Sequence, residues 1–229
     1  MKSYLFEAQI FDGHVIIKDE ENTILIDTGS PTTIHKRQYF QFCFESYECL
    51  INPLGLTSEN LSKMVGMEIT TLLGVDILSK YNVKFDYRHN EVSFSKGDFS
   101  FAGKEIDIES FMSIPIIELS IDYKTMKFFL DTGAKISYLS KIHLKNYKSI
   151  GKEKDFYHNF GTFTTECFQV KALFENEEFN VIFGILPPKL HKSLLVGGID
   201  GIIGYDFFKN FTILLDLCKK KINYIKNKD

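Results

Sequence analysis

The chain has 229 residues, 44% hydrophobic and 25% charged, with a formal net charge of −3. That length allows one large domain or two of about 100 residues, and the balance is that of a globular protein rather than a disordered or fibrous one. No basic stripe suited to nucleic acid stands out, because Lys219, Lys220, Lys221, Lys226 and Lys228 read as a solvated strand end and terminus.

In chain order, the opening segment Met1 to Ile10 is interrupted by Glu7 and Gln9 and followed by Asp12. It does not read as a signal peptide, and no stretch approaches the roughly 20 apolar residues of a membrane span. The cytoplasm is the expected compartment. Val15 to Lys18, a polar turn at Asp19 to Asn22, and Thr23 to Ile26 predict a β-hairpin. Tyr47 to Leu56 predicts a short loop, and Ser58 to Val65 a helix. Val83 to Asp86 and Glu91 to Ser95 predict strands. Gly97, Gly103 and several charges mark a boundary within Lys96 to Glu109, so two β-rich lobes are expected at 1–105 and 106–229. A second hairpin follows at Ile116 to Ile121 and Met126 to Leu130. Phe156 to Lys171 predicts a further hairpin around Gly161, and Leu186 to Gly198 a loop.

The chain repeats itself. Ile24-Leu25-Ile26-Asp27-Thr28-Gly29-Ser30 matches Phe128-Phe129-Leu130-Asp131-Thr132-Gly133-Ala134. Downstream, Leu72-Leu73-Gly74-Val75-Asp76-Ile77-Leu78 matches Ile202-Ile203-Gly204-Tyr205-Asp206-Phe207-Phe208. Each copy then runs into a strand that ends in Asp, at Asp86 and Asp216. An order of motifs kept in both halves is a far stronger signal than one Asp-Thr-Gly, which is also an ordinary way for a strand to leave a sheet.

The chemistry follows from the residue types. An apolar strand delivers an aspartate to the floor of a cleft. Gly29 and Gly133 allow a tight turn where a Cβ would obstruct. Thr28 and Thr132 carry hydroxyls that both donate and accept. Two such loops facing each other bring two carboxylates together, which then share a proton. One acts as general base on water and the other as acid. Asp76 and Asp206 read as acids favoured at helix N-termini, and Asp86 and Asp216 as turn residues. His14, His35, His89, His143, His158 and His191 show no repeated placement. Cys43, Cys49, Cys167 and Cys218 lack zinc-ligand spacing and read as reduced thiols, with a Cys43–Cys49 disulfide as the lesser alternative.

The paired motifs resemble those of the pepsin and retropepsin clan of aspartic peptidases. The resemblance is densest over Ile24 to Ile34, Leu72 to Asp86, Phe128 to Leu139 and Ile202 to Asp216. It implies an all-β, bilobal acid-protease fold with a few short helices and a central cleft, like two retropepsin-sized halves in one chain. It implies Asp27 and Asp131 as the catalytic pair, with Thr28, Gly29, Ser30, Thr132, Gly133 and Ala134 supporting the loops. It implies no cofactor or metal, a peptide or protein substrate, no nucleic-acid or membrane partner, and a site complete in a monomer. At the position after Asp-Thr-Gly, a hydroxyl would bond the neighbouring carboxylate. Ser30 offers one and Ala134 does not, so a working pH above the strongly acidic range is expected. The clan covers its cleft with a β-hairpin flap. Here the first half has little room for one, and the hairpin at Phe156 to Lys171 is the expected flap. A peptide-binding module without efficient cleavage is the alternative on the same fold. A phosphotransfer enzyme is disfavoured, because no phosphate-cradling glycine loop accompanies either motif.

Overall fold

The computed structural model describes residues 2–51, 55–157 and 161–228. The first half runs β1 (Ser3–Phe11), β2 (His14–Asp19), β3 (Asn22–Ile26), β4 (Ile34–His35), β5 (Tyr39–Phe42), β6 (Glu45–Glu48), α1 (Ser58–Val65), β7 (Thr71–Leu73), α2 (Val75–Leu78), β8 (Asn82–Asp86) and β9 (Glu91–Ser95). The second half runs β10 (Lys104–Asp107), β11 (Glu109–Phe111), β12 (Ile114–Ile121), β13 (Lys124–Leu130), β14 (Ser137–Leu139), α3 (Lys141–Leu144), β15 (Ser149–Tyr157), β16 (Gly161–Phe174), β17 (Glu177–Ile185), α4 (Pro188–Val196), β18 (Gly201–Ile203), α5 (Tyr205–Asn210), β19 (Phe211–Asp216) and β20 (Lys221–Lys226).

The predicted hairpins form as β2–β3 and β12–β13. Their turns are tight, and Asp122 and Tyr123 at the second one both take positive φ, the twist that matches antiparallel strands. The Ser58–Val65 helix stands at its predicted bounds. The Thr57 hydroxyl caps it by accepting from the Asn60 amide at 3.2 Å. Gly66, at φ 84°, ends it with its amide bonded to the Ser62 carbonyl. Leu186 to Gly198 differs from the expected loop. Pro188 starts a helix whose Leu190 and Leu194 are buried, because Pro at a helix start loses nothing and those leucines fall on one face.

Among the described residues, the strands assemble into sheets of ten, eight and two. The same pairings recur in both halves. β3 runs parallel to β7, with Leu25 beside Leu72, and β13 runs parallel to β18, with Phe129 beside Ile202. β4 and β14 then pair antiparallel to β7 and β18. The halves are also sewn together. β19 of the second half pairs with β8 of the first, Ile213 opposite Phe85.

One apolar core runs through this seam. Phe85, Phe128, Phe174, Phe207, Phe208 and Phe211 are all fully buried in it. Phe85 meets Phe208 at 5.4 Å and Phe174 meets Phe207 at 4.9 Å between centroids, edge to face, the arrangement aromatic rings prefer. Cys43, Cys49 and Cys167 are buried and unpaired, and Cys218 is exposed, so the Cys43–Cys49 bridge does not form. Among the described residues, no helix is long and apolar enough to cross a membrane.

Candidate active site

The repeat motifs build two loops of matching geometry. The Asp27 amide donates to the Leu73 carbonyl at 3.0 Å, and the Asp131 amide to the Ile203 carbonyl at 2.9 Å. Each loop then closes on itself, Ser30 N to Asp27 O and Ala134 N to Asp131 O, both at 3.3 Å. The glycines of the second motif let a helix start against each loop. Val75 N donates to Ser30 O at 2.9 Å, and Tyr205 N donates to Ala134 O at 3.1 Å. A Cβ on Gly74 would stand 2.8 Å from Ser30 O, and one on Gly204 would stand 2.9 Å from the Ala134 Cβ, closer than atoms tolerate.

The acids after those glycines do more than favour a helix dipole. Asp76 Oδ1 accepts from the Thr33 amide at 2.9 Å and from the Thr33 hydroxyl at 2.6 Å. Asp206 Oδ2 accepts from the Ile182 amide at 2.7 Å. Asp76 thus ties its helix start to the residue before β4, and Asp206 ties its own to β17. Asp86 caps its own turn through His89, and Asp216 accepts from the Lys219 amide.

Thr28 and Thr132 lock the loops together. The Thr28 amide donates to Thr132 Oγ1 at 3.0 Å, and the Thr132 amide to Thr28 Oγ1 at 2.9 Å. Each hydroxyl then donates, at 2.7 Å, to a carbonyl of the other half, Leu130 for Thr28 and Ile26 for Thr132. Both threonines are buried.

This lock sets Asp27 and Asp131 side by side, each carboxyl close against the glycine of the opposite loop. Gly29 N donates to Asp27 Oδ1 at 2.9 Å, and Gly133 N to Asp131 Oδ1 at 2.8 Å. Each glycine also faces the opposite acid: a Cβ on Gly29 would stand 2.6 Å from Asp131 Oδ1, and one on Gly133 would stand 2.7 Å from Asp27 Cγ. Burial pushes both carboxyls above the usual carboxylate range, and at Asp27 the neighbouring Asp131 charge pushes further. Two carboxyls this close do not readily ionise together, so the pair titrates as a unit. The Ser30 hydroxyl donates to the Thr32 carbonyl at 2.9 Å rather than bonding a carboxylate as expected.

The pair lies in a cleft of about 380 Å3. Leu25, Ile34, Leu61 and Leu72 wall it on one side, and Phe129, Phe163, Leu190 and Leu194 on the other. A larger hollow of about 490 Å3 lies elsewhere, between Tyr4–Phe6 and Gln41–Phe44. Volume alone therefore does not pick the site, and the paired carboxyls do. The hairpin expected in the second half is formed by β15 and β16, with Phe156 opposite Thr162 and Tyr157 opposite Gly161. Its turn, including His158, lies at 158–160, outside the described residues. The Tyr157 phenol lines the cleft, and burial followed by the facing Asp131 and Asp27 raises its pKa to about 12.

The corresponding hairpin of the first half, β5–β6, turns away from the cleft. Phe42 packs against Phe94 at 5.0 Å, and the Tyr47 hydroxyl bonds that of Tyr81 at 2.6 Å. Of the loop expected at Tyr47 to Leu56, Leu56 lines the cleft and residues 52–54 lie outside the described residues.

The two-lobed, all-β fold is that of an aspartic proteinase of known structure. The crystal structure of the aspartic proteinase from Irpex lacteus matches with a TM-score of 0.55 over 99% of this chain and 98% of that one, at 12% identity. A foamy viral protease–reverse transcriptase, solved with an RNA/DNA hybrid, matches 40% of this chain with a TM-score of 0.32 and 16% identity. The match spans 11% of that viral chain. The solution structure of Simian Foamy Virus (mac) protease matches 35% of this chain and 94% of that one, with a TM-score of 0.26 and 15% identity. No protein-family model and no curated protein matches the sequence.

Proposed function

We propose that this chain is an aspartic endopeptidase with Asp27 and Asp131 as its catalytic pair. The observation that carries this reading is the close apposition of two carboxyls, one from each half, each packed against the glycine of the opposite loop on a floor fixed by the threonine lock. Water held between them loses a proton to the ionised carboxylate as its oxygen bonds to the peptide carbonyl carbon. The protonated carboxyl donates to the carbonyl oxygen. Collapse of the tetrahedral intermediate breaks the C–N bond as a proton passes to the leaving nitrogen. Neither step calls for a metal or cofactor.

The lobes are proposed at 1–105 and 106–229, as the product of an internal duplication. Both acids lie in one chain, so a monomer suffices. The substrate is an extended peptide that lies beneath the β15–β16 hairpin and pairs its backbone with a strand edge. The three buried, unpaired thiols support a reducing compartment, and the cytoplasm is the proposed location.

The test is cleavage of a mixed peptide library between about pH 3 and pH 8 by the natural chain and by Asp131→Asn. Cleavage by the first alone supports the pair. Equal cleavage by both overturns the assignment. If neither cuts at any pH, the cleft is a peptide-binding module.

A further inference from the structure

Away from the pair, a dense group of polar side chains lies where the first half touches the stem of the second half's hairpin. The turn between β1 and β2 has Asp12 at φ 48° and Gly13 at φ 84°, and it points at the loop that carries Asp131. Gly13 packs flush on that loop: a Cβ there would stand 2.8 Å from Lys135 Cα and 2.9 Å from the Lys135 carbonyl oxygen. Only glycine fits at that dihedral and that distance. Lys135 Nζ bonds both carboxylate oxygens of Asp12, at 3.1 and 2.9 Å, and reaches Glu153 of β15 at 3.7 Å.

His14 follows the turn. It is 2% exposed, and its ring lies 5.7 Å from the Phe156 ring on β15 and faces the backbone of Gly133. Its Nδ1 has no hydrogen-bond partner among the described residues. Asp155, at the edge of the cleft, accepts from the Phe156 amide at 2.7 Å and from the Tyr138 hydroxyl. The corresponding turn of the second half, Met112–Ser113, also has positive φ, but Met112 is 64% exposed and the turn carries no charge. The polar contact therefore belongs to one half only, the half opposite the hairpin.

We propose that His14 is a positioning residue, which from the first half holds the Gly133 peptide of the Asp131 loop and seats the Glu153–Tyr157 stem over the pair. A buried imidazole with one nitrogen unused costs stability that an apolar ring of the same size would not. Its other nitrogen and its face are what the site uses. This inference rests on the peptidase reading only for its kinetic arm.

The state of the ring matters to the seat. Burial lowers the His14 pKa below the ordinary 6.5, and Lys135 adds to this, while Asp155 and Asp12 pull the other way. Two of these groups carry charged or titratable partners of their own, Lys135 with Glu153 and Asp155 with Tyr138. A depressed folded pKa means that the neutral ring goes with the closed seat. The seat is held above about pH 6.5 and weakens as pH falls.

The test is amide hydrogen exchange in the full chain across about pH 4–8, corrected for intrinsic rates, for the natural protein, His14→Gln and His14→Phe. Gln keeps a donor for Gly133 but does not titrate, and Phe fills the space without a donor. In the natural protein, protection at 153–157 should fall at least about fivefold in acid, while β17 holds. His14→Gln should stay within about twofold across the range, and His14→Phe should be weakly protected at every pH. In peptide cleavage, His14→Phe should raise KM about tenfold with kcat within about threefold, and His14→Gln should restore it. An identical acid response in the natural protein and His14→Gln would overturn the inference, as would equal loss of protection in β17. If no form cleaves peptide, exchange still decides the role of His14. If His14→Phe does not fold, the Gln comparison decides it.

Discussion

Thr28 and Thr132 are each donor and acceptor to the other's half, and all four bonds lie between 2.7 and 3.0 Å. Neither loop can shift without breaking the other's bonds. Thr132→Ala leaves the Thr28 amide and the Ile26 carbonyl buried without these partners. A loss of about 2–4 kcal/mol in urea unfolding is expected, with Thr132→Ser keeping most of it. Equal stability of the alanine and serine variants would show that the hydroxyl carries no load.

Gly29→Ala tests the distance between the loops. The new methyl would press on the Asp131 carboxyl, so the pair must separate or tilt. Cleavage should fall more than about 100-fold while far-ultraviolet circular dichroism stays native, because misplacement of reacting groups costs rate before it costs fold. An alanine variant as active as the parent would place the acids farther apart than described.

The pH dependence has a definite sign. Burial raises both carboxyls, and no Ser30 hydroxyl stabilises the anion. The lower limb of the pH–rate profile reports loss of the single ionised carboxylate, so it moves upward. An optimum in the mildly acidic to neutral range is expected, and a peak below about pH 3.5 would contradict it.

His35 carries an acid-stability prediction. It is 2% exposed, bonds Thr71 Oγ1 at 2.8 Å, and has its pKa lowered to about 4 by burial, with Lys36 adding. It is neutral in the fold but takes a proton when unfolded below its ordinary value. Its contribution is intact above about pH 6.5 and is lost as pH falls towards 4, by up to about 3 kcal/mol. The Asp27–Asp131 pair acts with the opposite sign, since raised carboxyls favour the fold in acid. His35→Gln should flatten the fall of Tm between about pH 6.5 and 4, and an unchanged slope would assign that fall to other groups.

The two aspartate loops were legible because each motif is local. A short apolar run, Asp-Thr-Gly and an apolar-apolar-Gly specify a loop and the helix that abuts it within one half, and the repeat doubles the signal. The α1 bounds were legible from Thr57 and Gly66 for the same reason. What escaped was non-local. Nothing in the Asp76 or Asp206 neighbourhood announces a bond to Thr33 or to Ile182. The Ser30 hydroxyl bonds the carbonyl of Thr32, two residues on, instead of the carboxylate it was expected to serve. His14 was passed over because it has no counterpart, yet the lack of a counterpart is what its one-sided contact requires. The pairing of β8 with β19 joins residues from opposite halves, and strand composition alone does not choose such partners.

That pairing also sets an order of events during synthesis. The sheet that carries the Asp27 hairpin keeps an open edge at β8 until residues 211–216 emerge from the ribosome to cover it. Asp27 meets its partner only through bonds that the later half supplies. A nascent or truncated first half therefore holds one of the two carboxyls, and the pair is assembled only when the second half folds against it.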